Sequence, residues 1–177
     1  MRSRVLARVA LATISLVVIS TGGLTAQPSD DIPAVQVSGM VLFAPTDPVE
    51  PPTSVTVDGA ATKFLGGSAV RQLDMNDERL SGSQRVVVNQ FDYGTDGSTV
   101  AGRISIENEG GSWQGTYQGV IFPHAPGVAR HQAVLVGDGD YEGLSAVLHY
   151  DSANTDNALD VDGLIFRGEI PDYPSPD

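Results

Sequence analysis

Residues 98–122, which read STVAGRISIENEGGSWQGTYQGVIF, are the stretch that decides the fold. Residues 98–107 and 112–122 each alternate with period two, and an Asn-Glu-Gly-Gly turn separates them, so they predict an antiparallel hairpin. Each segment keeps its larger apolar side chains on one face: Val100, Ile104 and Ile106 on the first segment, and Trp113, Tyr117 and Ile121 on the second. A hairpin with one apolar face needs further strands to cover it, so we expect the rest of the chain to supply them.

The same alternation recurs on both sides of this hairpin and predicts eight strands joined by short connections. The predicted strands cover residues 35–44, 54–58, 83–91, 98–107, 112–122, 129–137, 141–150 and 160–169. No segment has a convincing helical stripe, and residues 72–80 are predicted as a turn or a single helical turn. Regularly spaced strands without helices indicate an all-β fold, either a barrel or a sandwich.

Glycines inside the predicted strands favour the barrel. Glycine weakens a flat strand, but it allows sharp coiling and close approach of two backbones. The glycines concerned are Gly102, Gly115, Gly119, Gly143 and Gly163. We therefore predict a small antiparallel β-barrel of about eight strands over residues 35–170.

The two ends of the chain are predicted to lie outside this barrel. Arg2 and Arg4 precede the apolar run 9–19, and small residues lead to Ala26, as in a signal peptide of residues 1–26. The apolar run is shorter than the ~20 residues of a membrane span, although a retained anchor is the alternative. We expect a flexible spacer at 27–34, a proline-rich tail at 171–177 and secretion to the outside of the cell.

Composition excludes several classes of function. The net charge is −12, and without the three arginines of the leader seven basic residues face 22 acidic ones, a net charge of −15. Such a surface repels nucleic acids and anionic lipids, so neither is expected as a partner and no membrane contact is expected beyond the leader. Cysteine is absent, which excludes disulfides, thiolate chemistry and a lipoprotein anchor.

Three glycine-containing stretches of the C-terminal half resemble a known group of proteins. They are residues 110–116 (GGSWQGT), 136–144 (VGDGDYEGL) and 162–171 (DGLIFRGEIP). They resemble secreted bacterial proteins of unknown activity and, more distantly, the strand pairs of allene-oxide-cyclase-like and dirigent-like barrels of the calycin type. The resemblance implies an eight-stranded cup. It assigns no catalytic residue here, because no carboxylate aligns with the one that the cyclases use.

Metal and cofactor sites are not predicted. Residues 158–169 match part of an EF-type calcium loop, but Ala158 stands where the first carboxylate is required. A looser cation site is the alternative, among Asp151, Asn154, Asp156 and Asp160. The three histidines, His124, His131 and His149, share no spacing that places two of them together on one strand or helix.

Catalytic motifs are also weak. Ser145 follows Gly143 but lacks the second glycine of a nucleophile elbow, and Lys63 is the only lysine, outside any phosphate-binding loop. Glu107 and Glu109 are predicted to be solvated near a strand end. An enzyme is therefore the less favoured interpretation.

The aromatic side chains supply the candidate binding site. We expect Trp113, Tyr117 and Tyr141, with Ile104 and Ile106, to line one end of the cup and bind a small or apolar molecule. Two alternatives stay open: an isomerase or cyclase of the allene-oxide-cyclase type, and a structural or interaction module with a filled barrel. A deep pocket would favour the first two hypotheses over the third.

Overall fold

The structure is a computed structural model that describes residues 34–122, 128–152 and 158–170. The predicted leader 1–26, nearly all of the spacer and the tail 171–177 lie outside the described residues. So do His124 and two members of the possible cation site, Asn154 and Asp156.

The described part of the chain consists of ten strands and two short 3-10 turns. The strands are β1 (Val35–Leu42), β2 (Val49–Glu50), β3 (Ser54–Asp58), β4 (Ala61–Met75), β5 (Gly82–Asp92), β6 (Ser98–Asn108), β7 (Gly111–Ile121), β8 (Ala129–Gly139), β9 (Leu144–Ser152) and β10 (Ala158–Arg167). The turns are Glu78–Leu80 and Gly94–Asp96.

Eight of these strands close into an antiparallel ring, which confirms the predicted fold class. Strands β4 to β10 form a meander in chain order, and β1 closes the ring by pairing with β10 on one side and β4 on the other. The closing contact runs from Gly39 opposite Met75 to Leu42 opposite Gln72. Because every ring strand has two neighbouring strands, its backbone N–H and C=O groups are paired within the sheet, and no cross-link is needed to close the ring.

Strand β4 was missed by the sequence analysis, and it explains how ten strands make a ring of eight. On the side opposite β5, it pairs in succession with β3, with β2 and with β1. The predicted strand at 54–58 is real, but it lies beside β4 and outside the ring. The register against β5 shifts between Phe64 and Gly67. That bulge reverses the alternation within one strand and hides the period-two pattern.

Two smaller predictions need correction. The hairpin turn predicted at 138–140 lies at 140–143 instead, so Tyr141 occupies the turn and β9 begins at Leu144. Residues 72–75 belong to β4, and only Glu78–Leu80 forms the single helical turn.

The strand glycines act as predicted, with one exception. A Cβ placed on Gly115 would lie 1.8 Å from the carbonyl oxygen of Val134, and one on Gly102 would lie 2.0 Å from that of Val87. Only glycine permits these approaches of neighbouring backbones inside a tightly coiled ring. Gly143 instead lies in the β8–β9 turn with φ +79°, a left-handed conformation that also favours glycine.

The two ends of the ring differ. At the closed end lie the β4–β5, β6–β7 and β8–β9 turns, and the fully buried Trp113, Ile106 and Leu80 pack beneath them. At the opposite end, which we call the mouth, the inward-facing Val86, Val88 and Gln90 of β5 remain partly exposed. The ring is thus a cup with one packed end and one open end.

Candidate ligand-binding cavity

A cavity of about 360 Å³ occupies the mouth of the cup. We call it the mouth cavity. Its lining comes from β4 to β8 and from residues 49–52. The apolar lining residues are Val49, Pro51, Pro52, Ala69, Val86, Val88, Val100 and Ile121, and the polar ones include Glu50, Arg71, Gln90, Tyr117 and His131. A largely apolar wall with few polar groups is typical of a small-molecule site.

A hydrogen-bonded pair, Tyr117 and His131, lies at the inner side of this cavity. The phenolic oxygen of Tyr117 lies 2.6 Å from Nδ1 of His131. Burial lowers the pKa of His131 to about 4, against a smaller opposing effect of Asp151, so the ring is neutral near pH 7. Burial also raises the pKa of Tyr117, and nearby Arg71 opposes this shift. Both groups are therefore uncharged.

The contact between these two rings fits either neutral tautomer of His131: the phenol donates to Nδ1, or Nδ1–H donates to the phenolic oxygen. Nε2 is buried and has no hydrogen-bond partner among the described residues. A buried polar atom without a partner costs free energy. Adjacent Gly119 makes room for the ring, since a Cβ there would lie 2.2 Å from the His131 ring.

A second polar pair lies deeper in the cup. Tyr150, which is almost fully buried, donates its hydroxyl to Oε1 of buried Gln84 at 3.1 Å. The rings of Tyr150 and Tyr117 meet edge to face with centroids 5.7 Å apart. Burial raises the pKa of Tyr150. Tyr117, which lines the mouth cavity, thus packs on a second buried tyrosine, and both remain protonated.

The positive charge of the cavity comes from Arg71 on β4. Its guanidinium stacks on the ring of Phe43, 4.0 Å from the centroid. Partial burial lowers the pKa of Arg71, while Tyr117 and Asp47 act in the opposite direction. Within the part of the chain that the structure describes, no carboxylate lies within ion-pair distance of Arg71. The cavity therefore offers a cation held by an aromatic ring.

The segment 49–52, which we call the strap, lines one side of the mouth cavity. Val49 and Glu50 form the short strand β2 against Ala69 and Ser68. The carboxylate of Glu50 accepts a 2.6 Å hydrogen bond from the Ser68 hydroxyl and a 3.3 Å contact from Arg85. Pro51 and Pro52 follow directly and stiffen the chain.

The five residues predicted as a binding site do not lie together. Tyr117 lines the mouth cavity, and Ile104 lies buried between the two ends. Trp113 and Tyr141 stack at the closed end with ring centroids 5.3 Å apart, and Ile106 is fully buried near them. Tyr141 also borders a shallow depression on the outside of that end.

Asn108 organises the closed end. Its amide nitrogen contacts three backbone carbonyls of residues 78–81, at 2.8 to 3.2 Å. Its amide oxygen accepts from the Tyr141 hydroxyl at 2.6 Å and from the Gly110 amide at 3.1 Å. The indole nitrogen of Trp113 donates to the Arg79 carbonyl at 2.7 Å. The aromatic pair is therefore locked to the turn that covers it.

Sequence reasoning did not assign Arg71 or His131 to the site. Arg71 belongs to β4, which the analysis did not predict. His131 carried a usable signal, because it shares a face with Ala133 and Leu135 in a strand that was predicted. A histidine among inward-facing apolar residues indicates a polar group inside the barrel.

No cluster of metal-ligating side chains among the described residues supports metal binding. In residues 34–122, 128–152 and 158–170, no group of three or more His, Cys, Asp or Glu side chains converges as metal ligands. Of the possible cation site, Asp151 and Asp160 face each other on β9 and β10, and Asp151 pairs with Arg130 at 3.3 Å.

No protein-family model, curated protein or solved structure matches the chain. Within the described segments, no helix is long and apolar enough to cross a bilayer. The case for a function therefore depends on the geometry of the mouth cavity.

Proposed function

We propose that this protein binds a small, predominantly apolar molecule in the mouth cavity, outside the cell as the leader predicts. One observation carries the proposal: a cavity of about 360 Å³ has apolar walls around a few convergent polar groups. Its volume lies within the range of about 300–1,000 Å³ of small-molecule sites. The cavity supports binding over the alternative of a filled barrel.

The polar groups indicate how such a molecule is oriented. Valine, proline and isoleucine side chains form the wall near the opening, while Tyr117, His131 and Arg71 lie together on the inner side. An apolar body against the wall gains about 25 cal/mol per Å² of buried surface. A polar end directed at the Arg71 guanidinium then finds a donor rather than bare hydrocarbon. The bound molecule is thus expected to enter with its polar end first.

The test combines native mass spectrometry with a fluorescent probe. The protein secreted by its own host is analysed without denaturation, and an extra mass that is lost on denaturation reveals a bound molecule. Purified protein is then titrated with N-phenyl-1-naphthylamine, an uncharged apolar fluorophore. We expect one binding site per chain for this probe.

A matched pair of substitutions locates the site. Ala69→Phe places a large ring in the cavity wall and is expected to weaken probe binding at least tenfold, about 1.4 kcal/mol. Ala101→Phe makes the same change on the exposed outer face of β6 and is expected to have no effect. Equal probe binding by folded Ala69→Phe and wild type would place the site elsewhere and refute the proposal.

An isomerase or cyclase is the second candidate, because Tyr117 and His131 form a donor–acceptor pair inside the cavity. Such a pair can transfer a proton to or from a bound substrate. Among the described residues, Glu50 is the only carboxylate that lines the cavity, and it is an exposed strap residue, so the described lining holds no counterpart of the buried carboxylate of the cyclases. Chromatography of the host-derived ligand after incubation separates the two candidates, since isomerisation changes retention without changing mass.

A further inference from the structure

Strand β3 has an edge that no described strand pairs with. Among described strands of more than two residues, only β3 has a neighbour on one side alone, namely β4. Its sequence SVTVD alternates β-branched residues, and Val55 and Val57 are 56% and 77% exposed. An unpaired edge of this composition is a template for another strand.

The hairpin turn determines which backbone groups this edge presents. Asp58 pairs with Ala61 across the two-residue turn Gly59–Ala60, in which Gly59 has φ +61°. A two-residue turn requires its closing pair to be hydrogen-bonded, and the bonding alternates along the ladder from there. Val55 and Val57 therefore direct their N–H and C=O groups away from β4, to the open side.

We propose that β3 pairs with β3 of a second copy of this chain, in an antiparallel dimer with its two-fold axis at Thr56. Val55 then lies opposite Val57 of the other copy, and the reverse pair follows by symmetry. Each pair exchanges two backbone hydrogen bonds, four in all, and the four valines form one apolar cluster. An interface in which the same segment meets itself is the commonest arrangement in protein dimers.

Charge also favours a second copy at this edge. The chain carries a net charge of −12, which opposes association over most of the surface. At the β3–β4 hairpin, however, the only lysine of the chain, Lys63, forms an ion pair with Asp58. The edge is locally neutral, and the proposed register places Asp58 opposite uncharged Ser54 of the other copy.

The described ends of the chain do not lead to this edge. The start of β1 pairs with the end of β10, Val35 opposite Ile165, so both strands reach the closed end there. β3 lies at the mouth, because it pairs with residues 61–65 of β4, beyond β2 and β1. The seven residues 171–177 include Pro171, Pro174 and Pro176, which lack the N–H that a ladder needs.

The test is the association state of the purified protein, measured by sedimentation velocity from about 1 µM to 1 mM, the range of affinity expected for a short interface. We expect a concentration-dependent shift from one chain to two. Val57→Pro removes an N–H that only the second copy uses, and we expect it to raise the dimer dissociation constant at least tenfold. Val55→Lys with Val57→Lys keeps every N–H but sets like charges opposite each other, and it should also abolish the dimer.

The control is Val136→Lys, since Val136 is 57% exposed on β8, a strand with neighbours on both sides. This variant is expected to dimerise as the wild type does. Circular dichroism and the melting temperature verify that each variant is folded. A wild type that remains monomeric at 1 mM would overturn the proposal, as would folded lysine and proline variants that dimerise normally.

Discussion

At the residue scale, His131 is the most informative side chain of the mouth cavity. Its Nδ1 is hydrogen-bonded to the Tyr117 hydroxyl, and its Nε2 has no partner among the described residues. Its neutral form is the one compatible with this position, because burial lowers its pKa to about 4 from the usual 6.5 of a histidine. The ring therefore links the acidity of the solution to the stability of the cup.

The sign of this linkage follows from the depressed pKa. The unfolded chain takes up a proton on His131 near pH 6.5, whereas the folded chain resists until about pH 4. The stability that His131 contributes is therefore complete above pH 6.5 and is lost as the pH falls towards 4. Allowing for partial solvent screening, we expect this loss to be about 2 kcal/mol.

His131→Asn tests this linkage. Asparagine keeps an acceptor for Tyr117 but does not titrate, so the variant should lose less unfolding free energy than the wild type between pH 7.5 and 4.5. Urea unfolding at the two pH values measures the difference. His149→Asn on the exposed face of β9 is the control. Equal losses in the wild type and His131→Asn would show that His131 is not the group responsible.

At the element scale, β4 is the long strand that the period-two pattern of the sequence does not reveal. It supplies Arg71 to the cavity, pairs with four other strands and closes the ring with β1. Its alternation fails twice, at the bulge beside Gly66, where φ is +74°, and at Arg71, a charged side chain that faces inward. Both irregularities belong to the part of the ring that builds the mouth.

The turn Glu78–Leu80 is the second element with a clear structural role. Leu80 is fully buried, and Asn108 binds the carbonyls around it, so the turn covers the closed end. Asn108→Asp would replace the donor with a carboxylate oxygen facing these carbonyls. We expect a loss of about 3 kcal/mol in the free energy of unfolding at pH 7, measured by urea titration.

Asn89→Asp is the matched control for this change. Asn89 is exposed, and its side-chain oxygen accepts a 3.0 Å hydrogen bond from the Gly66 amide, which an aspartate also accepts. The same change of charge should therefore cost less than about 0.5 kcal/mol. Equal costs at the two positions would mean that charge, and not the lost donor at the closed end, determines the result.

At the scale of the whole molecule, charge repulsion is the dominant electrostatic feature. The 22 acidic residues outnumber the ten basic ones, and the four ion pairs of the described residues leave most carboxylates without a cation. We expect the free energy of unfolding to rise by roughly 1 kcal/mol between 10 and 150 mM NaCl, because salt screens this repulsion. Urea titrations at the two salt concentrations, repeated with choline chloride, provide the measurement. A decrease in both salts would show that attractive ion pairs dominate.

The sequence by itself determined the all-β class, most strand positions and closure into a ring. Alternation and turn residues act between neighbours along the chain. A glycine such as Gly115 marks a position where two backbones lie too close together for any residue with a side chain. These constraints are local or steric, so they can be read without coordinates.

Only the tertiary structure decided which end of the cup is packed and which is open. Arg71, Tyr117 and His131 come from three strands, and their convergence depends on the β4 bulge and the stagger of the ring. The predicted aromatic site was divided in the same way, because Trp113 stacks on Tyr141 beneath one turn while Tyr117 faces the other end. A cavity is the space that inward side chains from many strands leave unfilled. Its place is therefore a property of their combined volumes and not of any one segment.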